Sequence, residues 1–287
     1  MMTVLKYVRR AASEFLYTER RHVFRMLRSI NFPFWRALFK STSSLADYRG
    51  YFRDSGLRLM LYREHRDPAD IFSECYFGRN YLGNPVECVV DVGAHAGSYS
   101  WACYTLLKPC SIYLYEPNGD LVPRLHSLSE NMSDTTVVIR GVAVGRERTR
   151  IGYRKTESPL LNSPLAFNEG ERALLHDYAQ SLIENVTVEQ VTLDEELQDE
   201  PAIDYLKIDT QGYEMSVLQG AQKTLAKTRV VMIESNFLSI YEDGSTFCQI
   251  HQFLMDAGFL LVQLDAPSRS HGLYVWTDAL YVSRALV

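Results

Sequence analysis

The sequence predicts an α/β protein built on a doubly wound, mostly parallel sheet. Three observations support this. From about residue 85, short apolar runs alternate with longer amphipathic stretches, the rhythm of βαβ units. The run ECVVDVG, 87–93, is largely apolar, as expected of a strand buried on both faces. The glycine-flanked GAHAG inside VVDVGAHAGSYS, 89–100, opens directly into a helical stretch, so it reads as a strand-to-helix turn.

The elements follow in order. SYSWACYTLL, 98–107, is the first helix and SIYLYEP, 111–117, the second strand. GDLVPRLHSLSENM, 119–132, is mostly helical, with Pro123 near the first turn, where proline is tolerated. TTVVIRGVAVG, 135–145, is the third strand and its exit. Residues 148–197 hold two short strand candidates around a long polar stretch, read as a lid or binding element. IDYLKIDTQG, 203–212, restores the rhythm, followed by a helix over 213–226 and the strand RVVMIESN, 229–236. STFCQIHQFLMDAG, 245–258, is a helix that Gly258 can stop. FLLVQLDAP, 259–267, and ALYVSRAL, 279–286, form an antiparallel final hairpin.

Composition narrows the class. The chain has 287 residues, 46% hydrophobic and 23% charged, ordinary for a globular protein. A net charge of −5 argues against general nucleic-acid binding. Five cysteines with no C-x-x-C pair fit a reducing, cytoplasmic compartment better than a zinc site or a disulfide framework. No long apolar run or signal peptide is expected. Charge is uneven, however: residues 1–40 carry nine Lys or Arg against two acids, interleaved with aromatic residues. Residues 1–84 are read as a helical extension that packs on a neighbour or makes peripheral membrane contact through 1–40, and 85–287 as the main domain.

The first turn is the leading binding-site candidate. Gly93 and Gly97 let the backbone bend and approach a ligand, and the helix starting near Ser98 presents free N–H groups. A dinucleotide loop reads G-x-G-x-x-G, but here the middle glycine is missing, which disfavours a pyrophosphate. Asp91 suits a cofactor with an ammonium group. Glu116, 23 residues after Gly93 at the end of the second strand, suits two ribose hydroxyls. Together these features resemble a class I S-adenosylmethionine-dependent methyltransferase. In such a protein the exit strand GVAVG, with Val142 and Ala143, would border the adenine.

The blocks VDVGAHAGSYS, YEPN, GVAVG, VTLDEEL, YLKIDTQGYEMSVLQGA and VVMIESN occur in that order over about residues 87–260. They resemble the FkbM family of methyltransferases, mostly assigned as O-methyltransferases. The resemblance implies a seven-stranded class I methyltransferase sheet with an antiparallel final strand, and S-adenosylmethionine as cofactor. It implies a cofactor site from Asp91, Gly93, His95, Gly97, Ser98, Glu116, Pro117, Asn118, Val142 and Ala143. Two positions depart from the family. His95 stands for its usual Asn and titrates near neutral pH. Gln211 stands for its usual Glu, keeping the shape and the acceptor oxygen without the charge.

Methyl transfer to a hydroxyl needs positioning and removal of a proton. Lys207 and Asp209 are two apart on one strand and so share a face. Charged groups there are costly unless paired or placed at the functional end, so both are assigned to catalysis. Gln211, Glu234, Asn236 and Asn162 are assigned to the acceptor. Asp209 and Glu234 have oxygens that suit magnesium, but no metal is assigned. The expected acceptor is a small molecule, a sugar or glycan, or a glycolipid. The alternatives are an inactive interaction module or, less favoured, a Rossmann oxidoreductase. The sequence leaves oligomeric state open.

Overall fold

The computed structural model describes residues 78–82, 85–175, 181–265 and 267–287. The expected N-terminal extension, apart from Gly78–Leu82, and its membrane-contact segment lie outside the described residues.

Seven strands form the main sheet: β1 (Cys88–Val92), β2 (Ser111–Tyr115), β3 (Thr136–Arg140), β7 (Ile203–Ile208), β8 (Thr228–Asn236), β9 (Phe259–Leu264) and β12 (Trp276–Ser283). Their order is β3-β2-β1-β7-β8-β12-β9, while β10 (Arg269–Ser270) and β11 (Leu273–Tyr274) pair in a separate short ribbon. The first five are parallel to one another. β12 runs antiparallel to both β8 and β9. This is the class I methyltransferase arrangement the sequence implies, and β1 and β7 are buried along their full length. The helices around it are α1 (Ser98–Leu107), α2 (Val122–Ser129), α3 (Leu193–Glu196), α4 (Glu214–Gln219), α5 (Gln222–Ala226) and α6 (Phe247–Asp256). Aliphatic residues of β1, β7 and β8 pack with Val217, Leu218, Leu225, Ile250 and Leu254 in one core. Among the described residues no helix is long and apolar enough to cross a membrane.

Two expectations change. The 148–197 region is not mainly loop. It forms a second, three-stranded sheet of β4 (Ala143–Val144), β5 (Thr149–Thr156) and β6 (Leu182–Val191), in the order β4-β6-β5. Its strands are long because the β5–β6 ladder pairs Thr149 with Gln190 through to Thr156 with Leu182. The two short strand candidates expected here are thus longer than expected and pair with each other, a register that hydrophobicity within one strand does not reveal.

The helix expected over 213–226 is two helices. A side chain at Gly220 would collide with the Gly145 carbonyl, so the backbones approach closely there. The Asp194 carboxylate then accepts from the Lys223 and Thr224 amides at 3.0 and 2.7 Å, capping α5 from another element.

Candidate active site

Strand register assembles the site. Val92 of β1 pairs with Tyr115 of β2 and with Ile208 of β7, and Ile208 pairs with Ile233 of β8. The next residue on each strand is therefore Gly93, Glu116, Asp209 and Glu234. Sequence positions far apart stand in one row at the carboxyl ends of parallel strands, where ligands bind in open α/β sheets.

The turn after β1 is tightly held. The Gly93 and Ala94 amides donate to the Tyr115 carbonyl, each at 3.0 Å. Gly93 has φ 74°, and a side chain there would strike the Asp209 carbonyl oxygen. Gly97 has φ 86°, and a side chain there would strike Leu128. Only glycine meets both demands without strain. His95 is also left-handed, at φ 50°, and its amide donates to Glu116 Oε2 at 2.7 Å. Ser98, buried, begins α1.

Glu116 is buried, and its second oxygen accepts from the Asn118 amide at 2.8 Å. Burial pushes its carboxyl up to about 7, against the pull of the two amides that favour the anion. Pro117 is half-buried and Asn118 buried, with Asn118 Oδ1 accepting from the Asp120 amide at 3.2 Å. Val142 and Ala143 are buried beyond the end of β3, with Val142 packed into the core.

Asp91 and Lys207 lie beneath the turn. Asp91 is fully buried and accepts from the Ser100 hydroxyl. The ammonium it meets is that of Lys207, 3.0 Å from its Oδ1. Lys207 Nζ also donates to the Gly93 carbonyl at 2.6 Å and stands 3.7 Å from Asp209 Oδ2. One cation thus ties the strand β1, its turn and Asp209 together, as a buried charge must if its desolvation is to be offset.

Gln211 joins the acids. Its Nε2 donates to Asp209 Oδ1 at 2.9 Å and to Glu234 Oε2 at 2.6 Å, while its Oε1 accepts from the Tyr241 hydroxyl at 2.9 Å. Asn236, at the end of β8, is buried and opposite Trp276 of β12. Asn162 faces its own segment: its Oδ1 accepts from the Thr156 amide at 2.8 Å. The neighbouring Ser163 makes the link to the site, donating from its hydroxyl to the Gln211 carbonyl at 2.8 Å.

Three residues here escaped the sequence reading. Glu214, fully buried, accepts from the Thr210 and Gly212 amides at 3.0 and 3.1 Å and from the Ser245 hydroxyl at 2.8 Å, and so shapes the loop that carries Gln211. Burial raises its carboxyl above the usual range. Its signal was a glutamate at a helix start just after a glycine. Tyr241 and Tyr153 are buried, and burial first, then nearby carboxylates including Asp209, raises both phenols well above their usual range. Nothing local in the sequence sets them apart from the chain's other tyrosines. Among the described residues there is no group of three or more His, Cys, Asp or Glu arranged to hold a metal ion.

Residues 91–261 match the model of the methyltransferase FkbM domain. The hexuronic acid methyltransferase AglP of Haloferax volcanii is 25% identical over 146 residues, 50% of this chain and 54% of that protein. The solved structure of methyltransferase FkbM from Methylobacillus flagellatus superposes with TM-score 0.48 at 16% identity, over 72% of this chain and 47% of that one. Magnesium protoporphyrin IX methyltransferase from Synechocystis, solved with bound S-adenosylmethionine, gives TM-score 0.44 at 10% identity, over 85% and 93%. The chain thus spans about half the length of AglP and of the Methylobacillus protein. The family match runs from Asp91 through all four strand ends of the site, and the chain belongs to the FkbM methyltransferase domain family, whose cofactor is S-adenosylmethionine.

Proposed function

We propose that this chain transfers a methyl group from S-adenosylmethionine to a hydroxyl oxygen, with a saccharide acceptor as the leading class and residues 85–287 as the working domain. The observation that carries this reading is the row Gly93, Glu116, Asp209 and Glu234, which sets a ribose-type acid beside a pair of carboxylates. The 25% identity to a hexuronic acid methyltransferase supports the sugar acceptor.

The residues present fit the cofactor. Gly93 and Gly97 permit a tight turn in which side chains would strike the Asp209 carbonyl and Leu128, and Glu116 brings two carboxylate oxygens to the adjoining strand end. In this reading the turn of Gly93, His95, Gly97 and Ser98 holds the amino-acid end. Glu116, Pro117 and Asn118 hold the ribose, and residues 141–143 border the adenine. When bound, the cofactor supplies a methyl group on a positively charged sulfur, ready for in-line displacement. Asp209 takes the proton from the acceptor hydroxyl, and Glu234 orients that hydroxyl from the next strand. Lys207 is a positioning residue here. It sets the angle of Asp209 and the Gly93 carbonyl and keeps Asp91 paired.

Isothermal calorimetry separates this from an oxidoreductase: S-adenosylmethionine binds and NADH does not. Release of S-adenosylhomocysteine with uronic acid or neutral sugar acceptors then identifies the chemistry. NADH binding without S-adenosylmethionine binding would overturn it.

The raised Glu116 carboxyl has a sign that can be measured. Its folded value, about 7, lies above the ordinary carboxylate range, so the folded chain holds this proton more tightly than the unfolded one. Unliganded stability from this group is therefore present at low pH and is lost as pH rises toward and through about 7. Cofactor affinity runs the other way, because the anion accepts ribose hydroxyls. It should rise roughly tenfold from about pH 6 to about pH 8. Glu116→Gln should flatten the profile. His95→Asn should leave it intact. If His95→Asn flattens it and Glu116→Gln does not, the dependence belongs to the imidazole.

A further inference from the structure

We propose that Gln211 is a positioning residue whose side-chain amide holds the carboxylates of Asp209 and Glu234 together, in the place that a divalent cation or a shared proton would otherwise fill. This rests on the reading of methyl transfer to a hydroxyl given above. It concerns how that site keeps two acids side by side.

The geometry is specific. Both carboxylates reach the same nitrogen, at 2.9 and 2.6 Å, and both side chains are largely buried. Two acids this close cannot both stay ionised unless a donor or a cation stands between them. An amide has two hydrogens on one nitrogen, one for each acid, and it does not titrate. Its direction is set by Tyr241, whose hydroxyl donates to Oε1 and so turns the nitrogen toward the acids.

The backbone supports the same conclusion. Gln211 has φ 55°, in the left-handed region that is unfavourable for a residue with a side chain. Two neighbours hold it there: Glu214 through the Thr210 and Gly212 amides, and Ser163 on the Gln211 carbonyl. Gly212 follows at φ 91° against the Tyr241 ring. Glycine at 211 would relax the strain and lose the bridge. The other charged or titratable groups facing the acids are Lys207 on Asp209, Glu214 and Tyr153 near Asp209, and Tyr241 near Glu234.

Two substitutions separate bridging from mere packing. Gln211→Met keeps the length and removes both donors. Gln211→Glu removes them and adds a third carboxylate, completing an oxygen set that suits manganese or magnesium. The full-length chain and both variants are compared in S-adenosylmethionine affinity, turnover with excess EDTA or Mn2+, and Mn2+ binding by electron paramagnetic resonance. The native chain is expected to turn over equally in EDTA and Mn2+ and to bind no stoichiometric Mn2+. Gln211→Met should keep cofactor affinity within about threefold while turnover falls about a hundredfold, the scale of a misplaced proton acceptor. Gln211→Glu should bind about one Mn2+ per chain and lose turnover in EDTA.

Native turnover that EDTA abolishes, or stoichiometric Mn2+ on the native chain, overturns the proposal. So does native turnover in Gln211→Met, or a folded Gln211→Glu that binds no Mn2+. A native chain that fails to bind S-adenosylmethionine defeats the methyltransferase reading instead. The Mn2+ titrations of the native chain and Gln211→Glu still decide the bridge in that case, as they do if Gln211→Met fails to fold.

Discussion

Replacing Lys207 with Met should destabilise the domain by about 3–5 kcal/mol, the usual cost of removing one partner from a buried ion pair. The side chain lengths are similar, so the loss is electrostatic. Asp91 would remain fully buried with its cation gone, left with the Ser100 hydroxyl as a far weaker partner. The Gly93 carbonyl would lose a 2.6 Å bond at the bend that follows β1. For a domain of this size the melting temperature should fall by on the order of 10 °C. Adding Asp91→Asn to Lys207→Met should recover part of the loss, because an amide is far cheaper to bury than an uncompensated anion. Differential scanning calorimetry of the two variants decides it. A Lys207→Met melt within about 2 °C of the native chain would show that this pair does not hold the turn.

Asp209→Asn should have the largest effect on turnover. The carboxylate follows β7 directly, beside the turn after β1 and 3.7 Å from Lys207 Nζ. Asparagine keeps an oxygen for Gln211 but cannot take a proton. Turnover should fall about 10²–10⁴-fold, the usual share of general-base catalysis, while S-adenosylmethionine affinity changes by less than about threefold. Single-turnover release of S-adenosylhomocysteine, with calorimetry on the same preparation, separates the two quantities. Equal losses in affinity and turnover would assign Asp209 to cofactor binding rather than to proton transfer.

Much of this architecture was legible in the residues because it rests on local signals. The buried run of β1, the missing middle glycine and the acid ending β2 each imply a physical consequence without a partner in view. Lys207 and Asp209, two apart in sequence, stand 3.7 Å from each other at the carboxyl end of β7. What their spacing could not show was the direction of each contact. Lys207 reads equally well as facing an acceptor or a neighbouring acid, and only the register of β1 against β7 brings Asp91 within 3.0 Å. Tyr241 was illegible for the same reason. Its contact with Gln211 spans 30 residues, and nothing in SIYEDGS points to it. The two strands of the second sheet were expected as short candidates; their length and their pairing depend on the β5–β6 register, which periodicity within one strand does not carry.

The place of β12 in the sheet bears on how the chain acquires its structure. This strand, 276–283, lies between β8 and β9, yet it follows both in sequence. While a ribosome is still making the chain, β8 can pair with β7, but its other edge stays open, and β9 has no neighbour at all. An open apolar edge is a template for pairing with other chains. The nascent protein therefore passes through an adhesive stage that ends only when residues 276–283 emerge. A premature stop codon before Trp276 would yield insoluble protein rather than a weakened enzyme.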